Sequence, residues 1–269
     1  MSSPVPDSKG SDRFLAALLD VVKEEVITPD LVSPRRIRAS LSRDLFDEHD
    51  LLDEPQADPS EEVRVLTPRQ QFLKKFFDGV VEITQSFEAL KDIQLYIGRF
   101  PFRRSNVSRT RYLRYHFESY LQEVFLLEER LLGYLTWVRR AYRKDRRAGD
   151  FERVCNVLQE SVRKTLKGII DLRSTHVHQY RVPERTLDRL GTLELLLSAP
   201  TGDIVDHDFA EFIARAYRLR YLETKRHWKK TIKDNNSALR ALLDLYFDQI
   251  YALCFDAQGK VLFPDSLRA

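Results

Sequence analysis

The chain is poor in the residues that build tight turns, disulfide frameworks and membrane spans. Its 269 residues include nine Gly and 11 Pro, too few for the many turns of a β-sandwich or β-barrel. No apolar run approaches the roughly 18 residues that a transmembrane helix needs, so we expect no membrane span. The opening MSSPVPDSKGSDR lacks the basic and apolar segments of a secretory signal, and we therefore expect a cytoplasmic protein.

Cysteine and nucleotide-binding motifs are also scarce. The two cysteines, Cys155 and Cys254, both fall in stretches of helical apolar periodicity, which predicts buried free thiols. Two cysteines cannot form a metal site by themselves. The sequence contains no Gly-rich phosphate loop, Walker motif or nucleophile elbow, so we expect neither nucleotide hydrolysis nor a nucleotide cofactor.

Arginine is the abundant charged residue. The formal net charge is only +3, but 31 of the 44 cations are Arg, and they cluster in 99–114, 139–147 and, with Lys, 225–233. A single cluster is typical of a solvated helix face. Three clusters favour nucleic acid or another polyanion as the partner, because the guanidinium fork suits phosphate. An acidic protein partner is a weaker alternative.

The apolar spacing predicts an all-α antiparallel helical bundle with long helices and an N-terminal helical extension. We assign 1–66 to the extension and an acidic linker (47–62), 67–257 to the bundle, and 258–269 to a C-terminal tail. Predicted helices begin near Ser11, near 34, and at Pro68, where Thr67 and Gln70 form a capping box. The helix that begins at Pro68 is expected to end near residue 97. Further helices are expected over 108–147, 150–180 and 184–198.

Two connections in this bundle depend on particular residues. Gly149 followed by Asp150 predicts a tight turn between two helices, with a C-terminal glycine and then an N-cap. Ile204 to Gln258 contains neither Gly nor Pro, and its polar middle (223–237) is either an exposed part of one long helix or a junction between two.

Candidate chemistry concentrates in DLRSTHVHQYR, residues 171–181. Metal-independent RNA cleavage needs a base for the ribose 2′-hydroxyl, an acid for the leaving 5′-oxygen and a cation for the crowded phosphate. His178 suits the acid or base role and Arg173 the cationic role. The neighbouring Ser174, Tyr180 and Arg181 are suited to phosphate contacts.

Spacing sets limits on this motif. Arg111 and His116 have the same separation as Arg173 and His178, but they lie early in a long helix amid regular aromatic spacing, which favours a structural or RNA-contacting role for them. Residues five apart also diverge by about 140° on an ideal helix. A composite pocket therefore needs a loosened helix end or a second subunit. A metal site is disfavoured, because alternating histidines diverge by about 200° on a helix. The acidic residues Glu118, Glu123, Glu128 and Glu129 lack the Glu-x-x-His pairs of a carboxylate metal site, which favours salt bridging instead.

The aromatic residues of the predicted 108–147 helix form a mostly buried stripe. Tyr115 is the exception that we single out, because it stands beside Arg111 and Arg114. An exposed tyrosine with neighbouring arginines can stack on an RNA base while the cations contact phosphates. We therefore predict that these three residues bind RNA.

Three ordered segments resemble HEPN domains, the helical RNases and RNA-binding modules of bacterial defence and toxin–antitoxin systems. They are TRYLRYHFESYLQEVFLLEERL (110–131), the Arg-x4-His segment RSTHVHQYR, and ERTLDRLGTLELL from Glu184. The chain is most similar to the HEPN family named after a Clostridium thermocellum protein, over about residues 70–255. The resemblance implies a homodimeric, metal-independent endoribonuclease without a cofactor.

The resemblance also implies roles for single residues. Arg173 and His178 would be catalytic, His176 auxiliary, and Glu118 or Glu123 would orient an arginine. Ser174 departs from the family, since many active members carry Asn or another strongly polar side chain directly after the arginine. This departure favours the alternative function, a non-catalytic HEPN-like module that binds RNA or protein.

Overall fold

In the computed structural model, residues 10–27, 66–101, 107–179, 185–198 and 207–267 are described, with the backbone alone at 26–27, 173–179, 185 and 207. Across these ranges the fold is all-α, as predicted. The helices are α1 (Gly10–Val22, followed by a π-helical turn, Lys23–Ile27), α2 (Pro68–Ile97), α3 (Arg109–Ala141), α4 (Ala148–Gln179), α5 (Arg185–Ser198) and α6 (His207–Cys254). The helix predicted near 34 and the acidic linker lie outside the described residues.

The capping box predicted at the start of α2 is confirmed. The backbone N–H of Gln70 donates to Thr67 Oγ1 at 3.3 Å, and the backbone N–H of Thr67 donates to Gln70 Oε1 at 3.1 Å. Each side chain thereby satisfies a backbone donor that the first helical turn leaves open. This reciprocal pair sets the first residue of α2 at Pro68.

The predicted connection between α3 and α4 is wrong in two respects. Helix α3 ends at Ala141 instead of 147, and Gly149 lies inside the first turn of α4 instead of forming the turn. The chain turns at Tyr142–Arg147, where Asp145 accepts hydrogen bonds from the backbone N–H and the side chain of Arg147. The buried Asp145 carboxylate therefore supports this turn, which is the role that we predicted for Gly149.

Helix α6 is one continuous helix of 48 residues, which decides between the two alternatives for 223–237. Its middle is only partly exposed. Four residues at every fourth position are buried, which places them on one helix face: Thr224, Trp228, Ile232 and Asn236.

The chain divides into two compact units. The first comprises Met1–Val81, Val138–Val154 and Asp244–Ala269, and the second comprises Glu82–Trp137 and Cys155–Leu243. In the first unit, Phe14 of α1 stacks on Phe247 of α6 at 5.1 Å between ring centroids, and Tyr142 stacks on Phe151 at 4.0 Å. The backbone of Gly10 touches the Asp244 carbonyl so closely that a Cβ there would clash.

The second unit contains residues of all five helices from α2 to α6, and its core has a buried polar centre. Phe117 contacts Trp228 at 4.0 Å between ring centroids. The Asn236 amide donates to the Leu90 carbonyl at 3.2 Å and accepts from the Tyr120 hydroxyl at 3.1 Å. These bonds satisfy polar groups that would otherwise be costly to bury.

Both cysteines are buried and form no disulfide, as predicted. No helix among the described ranges combines the length and apolar character needed to cross a bilayer.

Candidate nucleic-acid interface

Four aromatic side chains meet where α2 ends and α3 begins, and we call Tyr96, Tyr112, Tyr115 and His116 the Tyr–His cluster. The His116 ring centroid lies 4.4 Å from that of Tyr112, 5.3 Å from that of Tyr115 and 5.5 Å from that of Tyr96. Tyr115 is 65% exposed and Tyr96 is 44% exposed. The cluster therefore presents two tyrosine rings to solvent beside an imidazole.

Local sequence explains how α3 presents these rings. Ser108 caps the helix, because its Oγ accepts the backbone N–H of Arg111 at 3.0 Å. Tyr112 and His116 are one turn apart and share a face of α3. The Tyr112 hydroxyl donates to the Tyr96 carbonyl at 3.2 Å, which ties the end of α2 to the start of α3.

The half-buried rings of the cluster have shifted acidities. Burial lowers the pKa of His116, because desolvation disfavours the charged imidazolium. Burial also raises the pKa of Tyr112, with a smaller contribution from Tyr96. Both rings are consequently uncharged near neutral pH.

Cations surround the cluster. Arg111 is exposed and lies one helical turn before Tyr115, on the same face of α3. Arg99 is exposed just after α2, and the Lys229 side chain approaches the backbone of Gly98. The Arg109 guanidinium lies 5.8 Å from the ring centroid of Phe100, and the Phe100 ring contacts that of Tyr112. Exposed positive charge and exposed aromatic surface therefore occur together.

The predicted contact residues fall into two groups. Arg111 and Tyr115 lie exposed on the same face of α3. Arg114 instead reaches α5, where its guanidinium pairs with Asp188 at 2.9 Å and is 22% exposed. Its predicted contact with RNA stays a prediction, and the structure adds a role in joining α3 to α5.

The two predicted orienting carboxylates, Glu118 and Glu123, are half-buried on α3. Glu123 lies 3.7 Å from the guanidinium of Arg130, on the same helix. Arg130 also donates to Ser86 of α2. Arg130 thus pairs with Glu123 on its own helix and links α3 to α2 through Ser86. The orienting role predicted for Glu118 or Glu123 stays a prediction.

The Arg-x4-His segment of α4 is described only through its backbone. Arg173, Ser174, His176 and His178 lie within a helix that continues to Gln179, and Tyr180 and Arg181 lie outside the described residues. On this helix, positions 173 and 178 diverge by about 140° around the axis. Loosening of the helix before residue 179, one of the two conditions for a shared pocket, is not observed.

A polar network that the sequence did not reveal joins the starts of α3 and α6 to α5. The Glu194 carboxylate accepts from Ser108 Oγ at 2.8 Å and from the Tyr217 hydroxyl at 3.2 Å. Burial raises the pKa of Tyr217, which keeps its hydroxyl available as a donor. The network holds the start of α3, and hence Arg111 and Tyr115, against two neighbouring helices.

Sequence reasoning missed Tyr96 and His116 as members of the cluster. A signal for Tyr96 was available: Leu90, Ile93 and Ile97 form the buried stripe of this turn of α2, and Tyr96 lies off that stripe. For His116 the sequence predicts a structural or RNA-contacting role together with Arg111, but no contact with Tyr96. Its place among three tyrosines depends on the pairing of α2 with α3.

In the part of the chain that the structure describes, no three His, Cys, Asp or Glu side chains are grouped to hold a metal ion.

The chain matches no protein-family model, and comparisons with curated proteins and with solved structures find no match either. The HEPN resemblance therefore stays a prediction carried by the three segments that suggested it.

Proposed function

We propose that this protein binds single-stranded RNA through the Tyr–His cluster. The observation that carries the proposal is the 65% exposure of Tyr115, next to the His116 ring and one turn from the exposed Arg111. Large aromatic side chains are normally buried, and an exposed ring beside cations is the arrangement on which unpaired bases stack.

The two kinds of side chain would divide the work. Tyr115 and Tyr96 offer ring faces to bases, and the uncharged His116 ring packs against both tyrosine rings. Arg111 and Arg99 contact the phosphates that flank a stacked base, because their guanidinium groups carry fixed charge and directed donors. Recognition by stacking is tolerant of sequence, so we expect broad binding with strong salt dependence.

Fluorescence anisotropy with a labelled single-stranded RNA of about 12 nucleotides tests this proposal. Tyr115→Ala should weaken binding about 5- to 150-fold, the equivalent of roughly 1–3 kcal/mol for one stacked base. Arg111→Gln should weaken binding and lower the slope of log affinity against log salt by about 0.7.

Matched control variants remove one exposed aromatic residue and one exposed arginine that lie outside the Tyr–His cluster. Phe212 is 64% exposed on α6 and Arg218 is exposed on the same helix. Phe212→Ala and Arg218→Gln should bind RNA as the unmodified chain does. Equal binding by Tyr115→Ala and the unmodified chain would refute the proposal.

The second candidate function is the metal-independent endoribonuclease predicted from Arg173 and His178. The continuous helix through Gln179 favours a site completed by two chains, because positions 173 and 178 lie about 140° apart around the axis of one helix. We propose that Arg173 of one chain and His178 of a second chain act on the same phosphate in a homodimer.

Cleavage of RNA in EDTA, with cyclic-phosphate ends, tests this activity, and His178→Ala should abolish it.

Complementation tests the composite site. Equal amounts of Arg173→Ala and His178→Ala, each inactive alone, should together recover about a quarter of full activity, since half of the dimers are mixed and each has one intact site. No recovery would contradict the composite site, and RNA binding without any cleavage would leave the non-catalytic module.

A further inference from the structure

A small pocket opens between α5 and α6, on residues that the RNA proposal does not use. Its volume is about 140 Å³, and it is lined by Thr186 and Arg189 of α5 and by Arg220, Glu223, Thr224 and His227 of α6. All six residues belong to the second unit.

Helical spacing explains why these side chains converge. Thr186 and Arg189 are three residues apart on α5, and Arg220, Thr224 and His227 follow each other at four and three residues on α6. Each set therefore occupies one helix face, and the two faces meet at the pocket. Thr224 is only 5% exposed, whereas the arginines and His227 are exposed. Thr224 thus forms the buried side of the pocket and the two arginines form its rim.

The charge of the pocket favours an anion. Arg220 pairs with Glu223 at 3.0 Å, so this carboxylate is already engaged by a lining guanidinium. Arg189 supplies a positive charge in excess of that pair. The lining also carries the ring N–H of His227 and two threonine hydroxyls. These groups can donate hydrogen bonds to the oxygens of an oxyanion.

The larger cavity of the same unit lacks this preference. It has a volume of about 520 Å³ between α3 and α4, and three cations in its lining are matched by three carboxylates. The charged residues are Arg163, Lys164, Lys167, Glu128, Glu160 and Asp171. Burial raises the pKa of Glu128, as does the neighbouring Glu129, while Arg163 opposes the shift. A balanced lining gives no reason for an anion to concentrate there.

We propose that the pocket between α5 and α6 binds a phosphoryl group, with Arg189 and Arg220 contacting its oxygens and Thr224 at the closed side. The volume is below the roughly 300 Å³ at which sites for whole small molecules begin. The pocket therefore takes the phosphate group itself, either as the free ion or as the terminal phosphate of a larger molecule whose remainder stays outside.

Titration with inorganic phosphate, at constant ionic strength against chloride, tests the pocket without RNA. The NMR signal of the His227 ring should shift and saturate in the full chain, and Arg189→Gln should weaken this response at least 10-fold. Arg226→Gln removes an exposed arginine next to His227 that does not line the pocket, and it should leave the response intact. A non-saturating shift in the unmodified chain, or equal weakening in both variants, would overturn the proposal.

A second arm identifies the source of the phosphate. RNA oligonucleotides of one sequence, with a 5′-phosphate or a 5′-hydroxyl, are compared for binding. If the 5′-phosphate raises the affinity for RNA and Arg189→Gln removes this increase, the pocket binds RNA ends. If inorganic phosphate saturates the pocket and the 5′-phosphate does not raise the affinity, the pocket binds the free ion. Because the phosphate titration uses no RNA, failure of the pocket and failure of the Tyr–His cluster are read separately.

Discussion

Tyr115 and His116 are adjacent in the sequence and have different surroundings. Tyr115 is 65% exposed, whereas His116 is half-buried against three tyrosine rings. The desolvation that lowers the pKa of His116 comes from this packing. At the residue scale, therefore, the same short segment offers one ring to a ligand and uses the next to support it.

The pKa of His116 gives the first prediction at this scale. An NMR titration without RNA should place it below 6.5, and Tyr112→Ala should move it back toward 6.5 because the imidazole gains water. The unfolded chain then binds the proton more readily than the folded chain, so the free energy of unfolding should fall as pH drops below about 6.5. Phe212→Ala should leave the pKa of His116 unchanged, and a value at or above 6.5 in the unmodified chain would contradict the packing described.

Part of the cluster could be predicted from the sequence. Arg111 and Tyr115 share a face because four residues separate them, and that relation is local to one helix. Tyr96 joins them only because α2 and α3 pair in a particular register, and the separation of Tyr96 from Tyr112 spans a break in the helices. Apolar periodicity predicts which face of each helix is buried and does not give its register against a neighbour.

At the element scale, the turn between α3 and α4 shows the same limit. No residue between 141 and 148 is a Gly or Pro, so the sequence contains no local signal for a turn there. The Asp145 carboxylate accepts from Arg147, and also from the backbone N–H of Asp265 at 3.3 Å. That last partner lies 120 residues further along the chain. By contrast, the start of α2 was predicted because Thr67 and Gln70 are three residues apart.

Asp145 gives the prediction at this scale. Its side chain is fully buried, and Asp145→Ala would leave the guanidinium of Arg147 without its carboxylate. We expect a loss of about 3–5 kcal/mol in the free energy of unfolding, measured by urea denaturation. Asp150→Ala, which removes an exposed partner of Arg153, should cost at most about 1 kcal/mol.

The effect of Asp145 should depend on pH. Burial alone would raise the pKa of Asp145, but hydrogen bonds from the side chain and backbone of Arg147 and from the backbone of Asp265 lower it. A lowered pKa stabilises the fold above the unfolded value, about 3.9, and this stabilisation is lost as pH falls through the lower folded value. The difference between Asp145→Ala and the unmodified chain should therefore shrink below about pH 4. A difference that stays constant to pH 2 would contradict the ion pair.

At the scale of the whole molecule, the all-α fold could be predicted, but the division into units could not. The first unit joins the start, middle and end of the chain, as in the stacking of Phe14 on Phe247 and the hydrogen bond from Ser11 to Asp244. Residues more than 230 positions apart meet there. The predicted boundary near residue 66 rested on composition, and composition does not show which distant segments share a core.

The RNA-binding proposal and the phosphate proposal also belong to this scale, because each uses two helices of the second unit. The Tyr–His cluster needs α2 and α3, and the phosphate pocket needs α5 and α6. The Glu194 network joins α5 to the starts of α3 and α6. The second unit can thus hold a base-stacking surface and an anion pocket on one helical framework.

Photo-crosslinking tests the central claim most directly. Single-stranded RNA carrying 4-thiouridine is bound to the full chain, irradiated, and the modified peptides are identified by mass spectrometry. We predict that the main crosslinks fall on Tyr115 and Tyr96 and that Arg111→Gln reduces their yield. Crosslinks confined to other parts of the chain, with neither tyrosine modified, would contradict the claim that the Tyr–His cluster binds RNA.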